Sequence, residues 1–453
     1  MSAAFVQQAM RPLDPVEVDL EHVVAFSTSM VEVDGAPIPA WADLSGVYPT
    51  ADGRHLQVHC NFEHHARGVV ERLGCDHDAQ AVAAAISERN AFELERRLID
   101  DGMIAAVVRT LDEWDAHPHA AATRHLPVFT VERIGDAGPL PTPEAGDGPA
   151  LAPVADPSGD PAGDAVGDPA RDHGRSLAGG PVAGARVLDC SRVLAGPVAG
   201  LLFAAHGADV IRLSAEHLPS VPVGVVSTGF GKRNVFADLR TEEGRRTTES
   251  LLADTDVWID AYRPGALAGH GLDPERATEL RPGIVIVQIS GFDWVGPWAG
   301  RRGFDSIVQS TTGVRWAGGE KAIDAEGSPL ARGPIGLPVQ ALDHATGFLA
   351  AGVGARLLAH QRRHGGSWLA RLSLLRTRDW LVGFGGPRPF VPAAPPVPER
   401  CVGELDSEFG HVRAVTPFSG AWAGPPRPLG TSSARWRRAG GWSPTPRPPH
   451  PSP

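Results

Sequence analysis

The stretch "ARVLDCSRVLAGPVAGLLFAAHGADVIRL", residues 185–213, limits the fold more than any other part of the chain. Val187 and Leu188 belong to a buried strand, and Ser191 to Gly196 form a glycine-bearing loop. Pro197 suits a first helical position, where its missing N–H would have no partner anyway. Val198, Leu201, Leu202 and Ala205 fall on one helical face, Gly207 stops the helix, and Ala208 to Leu213 make a second strand. That is a βαβ unit. "DVWIDAY" and "GIVIVQISG" add short apolar strands with helical stretches between them, so the expected class is α/β with a doubly wound parallel sheet.

Around this large domain, residues 185–382, the pattern changes. Residues 1–40 read as an N-terminal extension and 41–134 as a small α+β domain, with a strand in "GRHLQVHCNF" where Leu56 and Val58 alternate with His55, Gln57 and His59. "DAQAVAAAISERNAFELERRLIDDG" has room for two helices, and "AAVVRTLDEWDAHPHA" gives a strand and then a helix start at Thr110, where Asp112 and Glu113 suit a first turn. Residues 135–184 are a Gly, Pro and Asp mixture with almost no large apolar side chains; such a segment cannot offset its ordering entropy and is expected to be a disordered linker. Residues 383–453 are expected to be irregular and to end in a disordered Pro- and Arg-rich tail.

Composition removes several function classes. The formal charge of −11 and pI near 5.9 argue against a nucleic-acid partner. No apolar run approaches the roughly 18 to 20 residues that cross a bilayer, and the first twenty residues lack a basic start with an apolar core, so no membrane role and a cytoplasmic location are expected. Cys60, Cys75, Cys190 and Cys401 are scattered, as suits reduced thiols. His55, His59, His64 and His65 near Cys60, with Cys75 and His77 beyond, do not have the spacing of a zinc ligand set, and no metal is expected. The loop "SRVLAGPVAG" is not GxGxxG and no acidic residue ends the second strand cleanly, which argues against NAD.

Two features carry possible chemistry. The loop and helix start at Val193 to Pro197 can present backbone amides to an anion, and Arg212, Lys232, Arg233 and Arg263 place cations beside turns of the large domain, as a polyphosphate ligand needs. In "GPWAGRRGFDSIVQ", Asp305 follows Gly303 and Phe304 and opens an apolar segment. Asp at such a place caps a helix; a carboxylate there can also attack an activated acyl group.

Taken together, "RVLDCSRVLAGPVAGLLFAAHGADVIRL", "GKRNVFADLR", "ADTDVWIDAYRPGALAGHGL", "RPGIVIVQISGFDWVGPWAGRRGFDSIVQSTTG" and "LPVQALDHATGFLAAGVGARLL" resemble the family III CoA-transferases, the CaiB/BaiF family, in the family's order over residues 185–360. The resemblance implies a Rossmann-like large domain and a transfer of CoA from an acyl-CoA to a carboxylic acid. Asp305 would be the nucleophile, through an aspartyl anhydride and an aspartyl-CoA thioester. It implies that Val193, Ala195, Gly196, Pro197, Arg212, Lys232, Arg233, Tyr262 and Arg263 line the CoA site, that Gly303, Phe304, Gln309 and Asp343 support it, and that the protein is a homodimer. A helix N-terminus under Asp305 would keep it ionised.

Departures from the family pattern are visible too. Phe304 stands where racemases of the family carry a histidine, which favours transfer over the racemase or dehydratase alternative. Asp343 matches an aspartate of the racemase machinery and reads here as a helix-start or supporting group. Gly269 replaces a frequent basic residue, and the glycine-rich flap of the family has no clear counterpart, which keeps a non-catalytic CoA-binding scaffold as a third reading. The segment resembling the family's small domain precedes the large domain instead of interrupting it, so the order is rearranged.

Overall fold

The computed structural model describes residues 18–141, 180, 182–321, 333–385, 396–417 and 422–437. Most of the expected linker, 142–179 and 181, lies outside them.

The chain enters through the helix Leu20–Ser27 and a hairpin of β1 (Val31–Val33) and β2 (Ala36–Pro37). An antiparallel sheet of β3 (Gly46–Pro49), β4 (His55–Val58) and β5 (Ala105–Val107) follows. Helices Glu63–Leu73, Ala79–Ser87 and Ala91–Asp100 connect β4 to β5 and close a core that includes Leu56, Val69, Ile86 and Leu98. Thr110 caps the next helix as its sequence suggests, in a reciprocal capping box with Glu113. β4 differs from the expected half-exposed strand: Leu56, Gln57, Val58 and His59 are all buried, because the face carrying Gln57 and His59 turns toward the large domain.

β6 (Phe129–Gly135) leaves the small sheet and becomes the edge of the large one. The others are β7 (Arg186–Cys190), β8 (Asp209–Ser214), β9 (Arg233–Phe236), β10 (Val257–Asp260), β11 (Val285–Ser290) and β12 (Ser367–Ser373), in the spatial order β6-β12-β11-β10-β7-β8-β9. All neighbours are parallel except β6, which pairs antiparallel with β12. Val187, Leu188, Val257, Trp258, Ile259, Val285, Ile286 and Val287 are buried, as central strands covered on both faces must be. From β7 the chain winds one way to β9 and then the other way from β10, so the sheet order reverses between β7 and β10. In open α/β sheets such a switch point leaves a crevice at the carboxyl ends of the strands.

Helix Ala195–Ala205 starts two residues earlier than its proline suggests, and Pro197 occupies the third position, where the N–H is still dispensable. The helix is buried on every side, between the sheet and the long helix Ala341–His364. Gly347 permits that crossing, since a Cβ there would lie 2.7 Å from the Ala195 carbonyl oxygen.

The C-terminal segment is more ordered than its composition suggests. β13 (Val402–Ser407) and β14 (Gly410–Val415) form a hairpin, and β14 pairs with β1, so both chain ends share one sheet. Residues 422–437 then run beside β9. Trp422 stacks on Phe230 at 4.6 Å, Ser432 N donates to Asn234 O, and Trp436 Nε1 donates to Leu251 O. Two tryptophans supply the apolar anchors that the surrounding Pro and Arg lack; residues 438–453 lie outside the description.

Candidate active site

A cavity of about 370 Å³ opens at the switch point. Its floor comes from the ends of three strands: Arg192 to Gly196 after β7, Ala261 to Arg263 after β10, and Ile289 to Gly291 closing β11. Val193 holds φ at 70°, a left-handed conformation that costs a β-branched residue on the order of 1 to 3 kcal/mol. Buried contacts sustain it. Below the loop, Lys232 Nζ donates to Asp189 Oδ2 at 2.7 Å and to the Pro197 carbonyl at 2.6 Å, while Ser191 Oγ donates to Asp189 Oδ1.

Asp305 is the first residue of helix Asp305–Thr311, whose N-cap is Phe304, and its side chain does not cap that helix. It caps another one. Its Oδ2 accepts from the amides of Leu342 (2.7 Å) and Asp343 (3.0 Å), at the start of helix Ala341–His364, and its Oδ1 accepts from Gln309 Nε2. Gln309 Oε1 in turn accepts from Leu337 N at 2.8 Å, fixing the loop before the long helix. Asp305 does meet a helix N-terminus, that of Ala341–His364, and burial opposes the ionisation those amides favour. Asp305 has no solvent exposure, and desolvation raises its pKa to about 6 against the pull of the Asp343 amide, Gln309, the Leu342 amide and Arg315.

Asp343 lines the cavity with a carboxyl that accepts no hydrogen bond among the described residues. Burial, then the Asp305 charge, pushes its pKa well above the carboxylate range.

The small domain supplies the opposite wall. Phe62, His64, His65 and Ile104 line the cavity, and Phe304 stacks on His59 with ring centroids 4.2 Å apart. Burial holds His65 down to about 3, with His64 and Arg302 adding to the effect, so the imidazole is neutral at physiological pH. Arg301 is tied down, because Glu95 bridges it to Arg109 within the small domain (Arg109 at 2.6 Å, Arg301 at 3.3 Å). Arg192 lies over the Phe62 ring at 5.0 Å, and neither it, Arg263 nor Arg302 has a carboxylate partner among the described residues. Arg263, Arg301 and Arg302 also line an adjoining cavity of about 600 Å³.

Of the residues singled out from sequence, Val193, Ala195, Gly196, Tyr262, Arg263, Gly303, Phe304 and Asp343 meet around the main cavity. Pro197, Arg212, Lys232, Arg233, Asp305 and Gln309 do not line it. Arg212 is buried, with no partner for Nε or Nη1 among the described residues. Lys232 is closed into its pair with Asp189, and Arg233 is held by Asp209 at 2.6 Å beside Trp436. Gly269 stands in an exposed turn with nothing near its Cα hydrogens. Arg192 and Arg302 were missed, and His64 and His65 were weighed only as metal ligands; the signal for the two arginines was adjacency to loops already singled out.

Among the described residues no group of three or more His, Cys, Asp and Glu side chains converges as a metal site, and no helix is long and apolar enough to cross a membrane.

The family model described as CoA-transferase family III matches residues 182–385. The chain is 30% identical over 235 residues to succinate–glutarate CoA-transferase of Agrobacterium fabrum, covering 48% of this chain and 56% of that protein. It is 30% identical over 221 residues to succinyl-CoA:glutarate CoA-transferase of Mus musculus, covering 42% and 49%. The chain thus spans about half the length of these curated relatives. Among solved structures, a CaiB/BaiF family protein from Brucella suis matches at 24% identity with a TM-score of 0.38, covering 51% of this chain and 65% of that one. Residues 182–385 are thus similar to CoA-transferase family III.

Proposed function

We propose that the protein is an enzyme that transfers CoA from an acyl-CoA to a carboxylic acid, with Asp305 as the acyl acceptor. The observation that carries this reading is the way Asp305 is held. Two main-chain amides anchor Oδ2, leaving Oδ1 with a single side-chain partner, Gln309. Oδ1 is therefore the attacking oxygen. Its attack on the thioester carbonyl forms a mixed anhydride and expels CoA thiolate; the thiolate attacks the aspartyl carbonyl, releasing the donor carboxylate and leaving an aspartyl-CoA thioester; the acceptor carboxylate then expels CoA thiolate to form a second anhydride, and the thiolate attacks its acyl carbonyl, giving the new acyl-CoA and freeing Asp305. Both intermediates hydrolyse in water, and the absence of solvent exposure at Asp305 suits that requirement.

The phosphates of CoA fall to Arg192, Arg263 and Arg302, cations at the cavity without carboxylate partners. Lys232 and Arg233 are already neutralised by Asp189 and Asp209. The relatives' names include succinate and glutarate, so short dicarboxylic acids are the first acceptors to try. A homodimer in the cytoplasm belongs to the same reading.

The test is incubation with a panel of acyl-CoAs and hydroxylamine, followed by peptide mass spectrometry. A hydroxamate at Asp305 that disappears in Asp305→Ala is the expected result. CoA binding with no adduct across the panel would leave the scaffold reading in its place.

A further inference from the structure

Two carboxyls sit together at the start of helix Ala341–His364, and the cavity sees only one of them. Asp305 is completely enclosed and its oxygens are all engaged, whereas Asp343 is 6% exposed, lines the cavity and has no hydrogen-bond partner among the described residues. A buried carboxyl without a partner costs several kcal/mol if it is charged, so a side chain left in this state awaits a ligand group. Its own main-chain N–H is spent on Asp305 Oδ2, which fixes the two carboxyls on one side of the cavity wall.

We propose that the Asp343 carboxyl, in its protonated form, donates a hydrogen bond to the carbonyl oxygen of the acyl group that Asp305 attacks. This rests on the transferase reading and deepens it. As the bond from Asp305 Oδ1 to the acyl carbon forms, the carbonyl π pair moves onto oxygen, and the Asp343 O–H stabilises that oxyanion. When the carbonyl reforms, the carbon–sulfur bond breaks and its electron pair leaves with the CoA thiolate. Asp343 keeps its proton throughout, so no acid, base or cofactor beyond the two carboxyls is consumed. Burial and then like-charge proximity explain the division of labour: in this enclosed place, with Asp305 ionised, a second charge on Asp343 is disfavoured. Arg315 acts on Asp305, and His64, His65, Arg192, Arg263, Arg301 and Arg302 share the cavity, none of them hydrogen-bonded to Asp343. His344, the next residue, turns to Ser29 on the far side of the helix.

The experiment is single-turnover acylation of Asp305 by an acyl-CoA that labels the native protein, compared in Asp343→Ala and Asp343→Asn. Loss of one oxyanion donor typically costs on the order of 10² to 10³ in rate, and Asp343→Ala is expected to fall by about that factor at saturating acyl-CoA. CoA affinity and the thermal unfolding midpoint, measured alongside, are expected to stay near native, which separates the effect from misfolding. Asp343→Asn keeps an N–H donor and does not titrate: it should retain most of the rate and lack the decline at high pH that the proposal expects of the native protein. Native acylation in Asp343→Ala overturns the proposal while leaving the transferase reading intact. So does an asparagine variant as slow as the alanine one. An adduct on Asp343 in place of Asp305 would make Asp343 the nucleophile and end this assignment. If no acyl-CoA labels the native protein, the transferase reading fails and this proposal with it.

Discussion

Two pairs of buried groups lie near the same cavity and behave in opposite ways. Asp189 and Lys232 are fully enclosed, 2.7 Å apart, and each charge answers the other. Burial brings Lys232 down to about 8, with Asp189 pulling the other way, so the ammonium stays charged at neutral pH. It is packed too closely to admit anything else, since a Cβ on Gly200 would lie 2.5 Å from Asp189 Oδ2. Asp305 and Asp343 are both carboxyls, so neither can neutralise the other, and their hydrogen-bond neighbours are amides rather than an ion-paired cation. The first pair spends its electrostatics on holding the loop under Val193. The second leaves a carboxyl unsatisfied and a pKa near the working pH, the pattern of a site prepared for chemistry.

The comparison breaks first at Asp305. Asp305→Asn keeps the shape and removes the nucleophile, so CoA transfer should fall by at least roughly 10³-fold; a variant with native turnover, measured by chromatography of the product thioester, would place the chemistry elsewhere. At the other pair the loss should appear in stability. Lys232→Met takes away the cation that faces Asp189, and truncating one partner of a buried pair costs about 3 to 5 kcal/mol, read from urea unfolding. CoA affinity of the folded protein should not change. Weakened CoA binding at native stability would instead return Lys232 to the ligand. Arg263→Ala or Arg302→Ala should weaken CoA binding by about 10-fold or more each, as for hydrogen bonds to charged groups, with turnover at saturation little changed; calorimetry checks this, and unchanged affinity would move the phosphates away from these arginines. The smallest effect is expected of Gln309→Leu. Losing a donor to the charged form raises the pKa of Asp305, so the rise of activity with pH, expected near 6 for the native protein, should move to higher pH while activity above it persists. A profile that stays in place, or moves to lower pH, would show that Asp305 does not set that limb.

Much of the fold was legible because its signals are local. The βαβ unit, the apolar runs of β10 and β11, the capping box at Thr110 and the stop at Gly207 each depend on residues within one or two turns. Asp305 was singled out, and the cap role suggested by its spacing was real, but it serves a helix that begins 36 positions later. No local pattern reports such a partner. β6 failed for the same kind of reason: a seven-residue strand after the small domain gives no sign of pairing with β12, more than 200 residues on. The Pro-rich end hid Trp422 and Trp436, whose contacts on Phe230 and Leu251 keep residues 422–437 against β9.

By itself the sequence determined the alternating strands and helices, the doubly wound parallel sheet and the family-like segments, since apolar periodicity and turn chemistry act over short distances. Only the tertiary structure decided which charges are available. Lys232 and Arg263 are equally cationic in the sequence, yet one is enclosed against Asp189 and the other faces the cavity. Asp305 and Asp343 differ in the same way, one bonded on both oxygens and the other unpartnered. Burial and pairing are set by residues brought together from distant parts of the chain, and they determine whether a charged group supports the fold or meets a ligand.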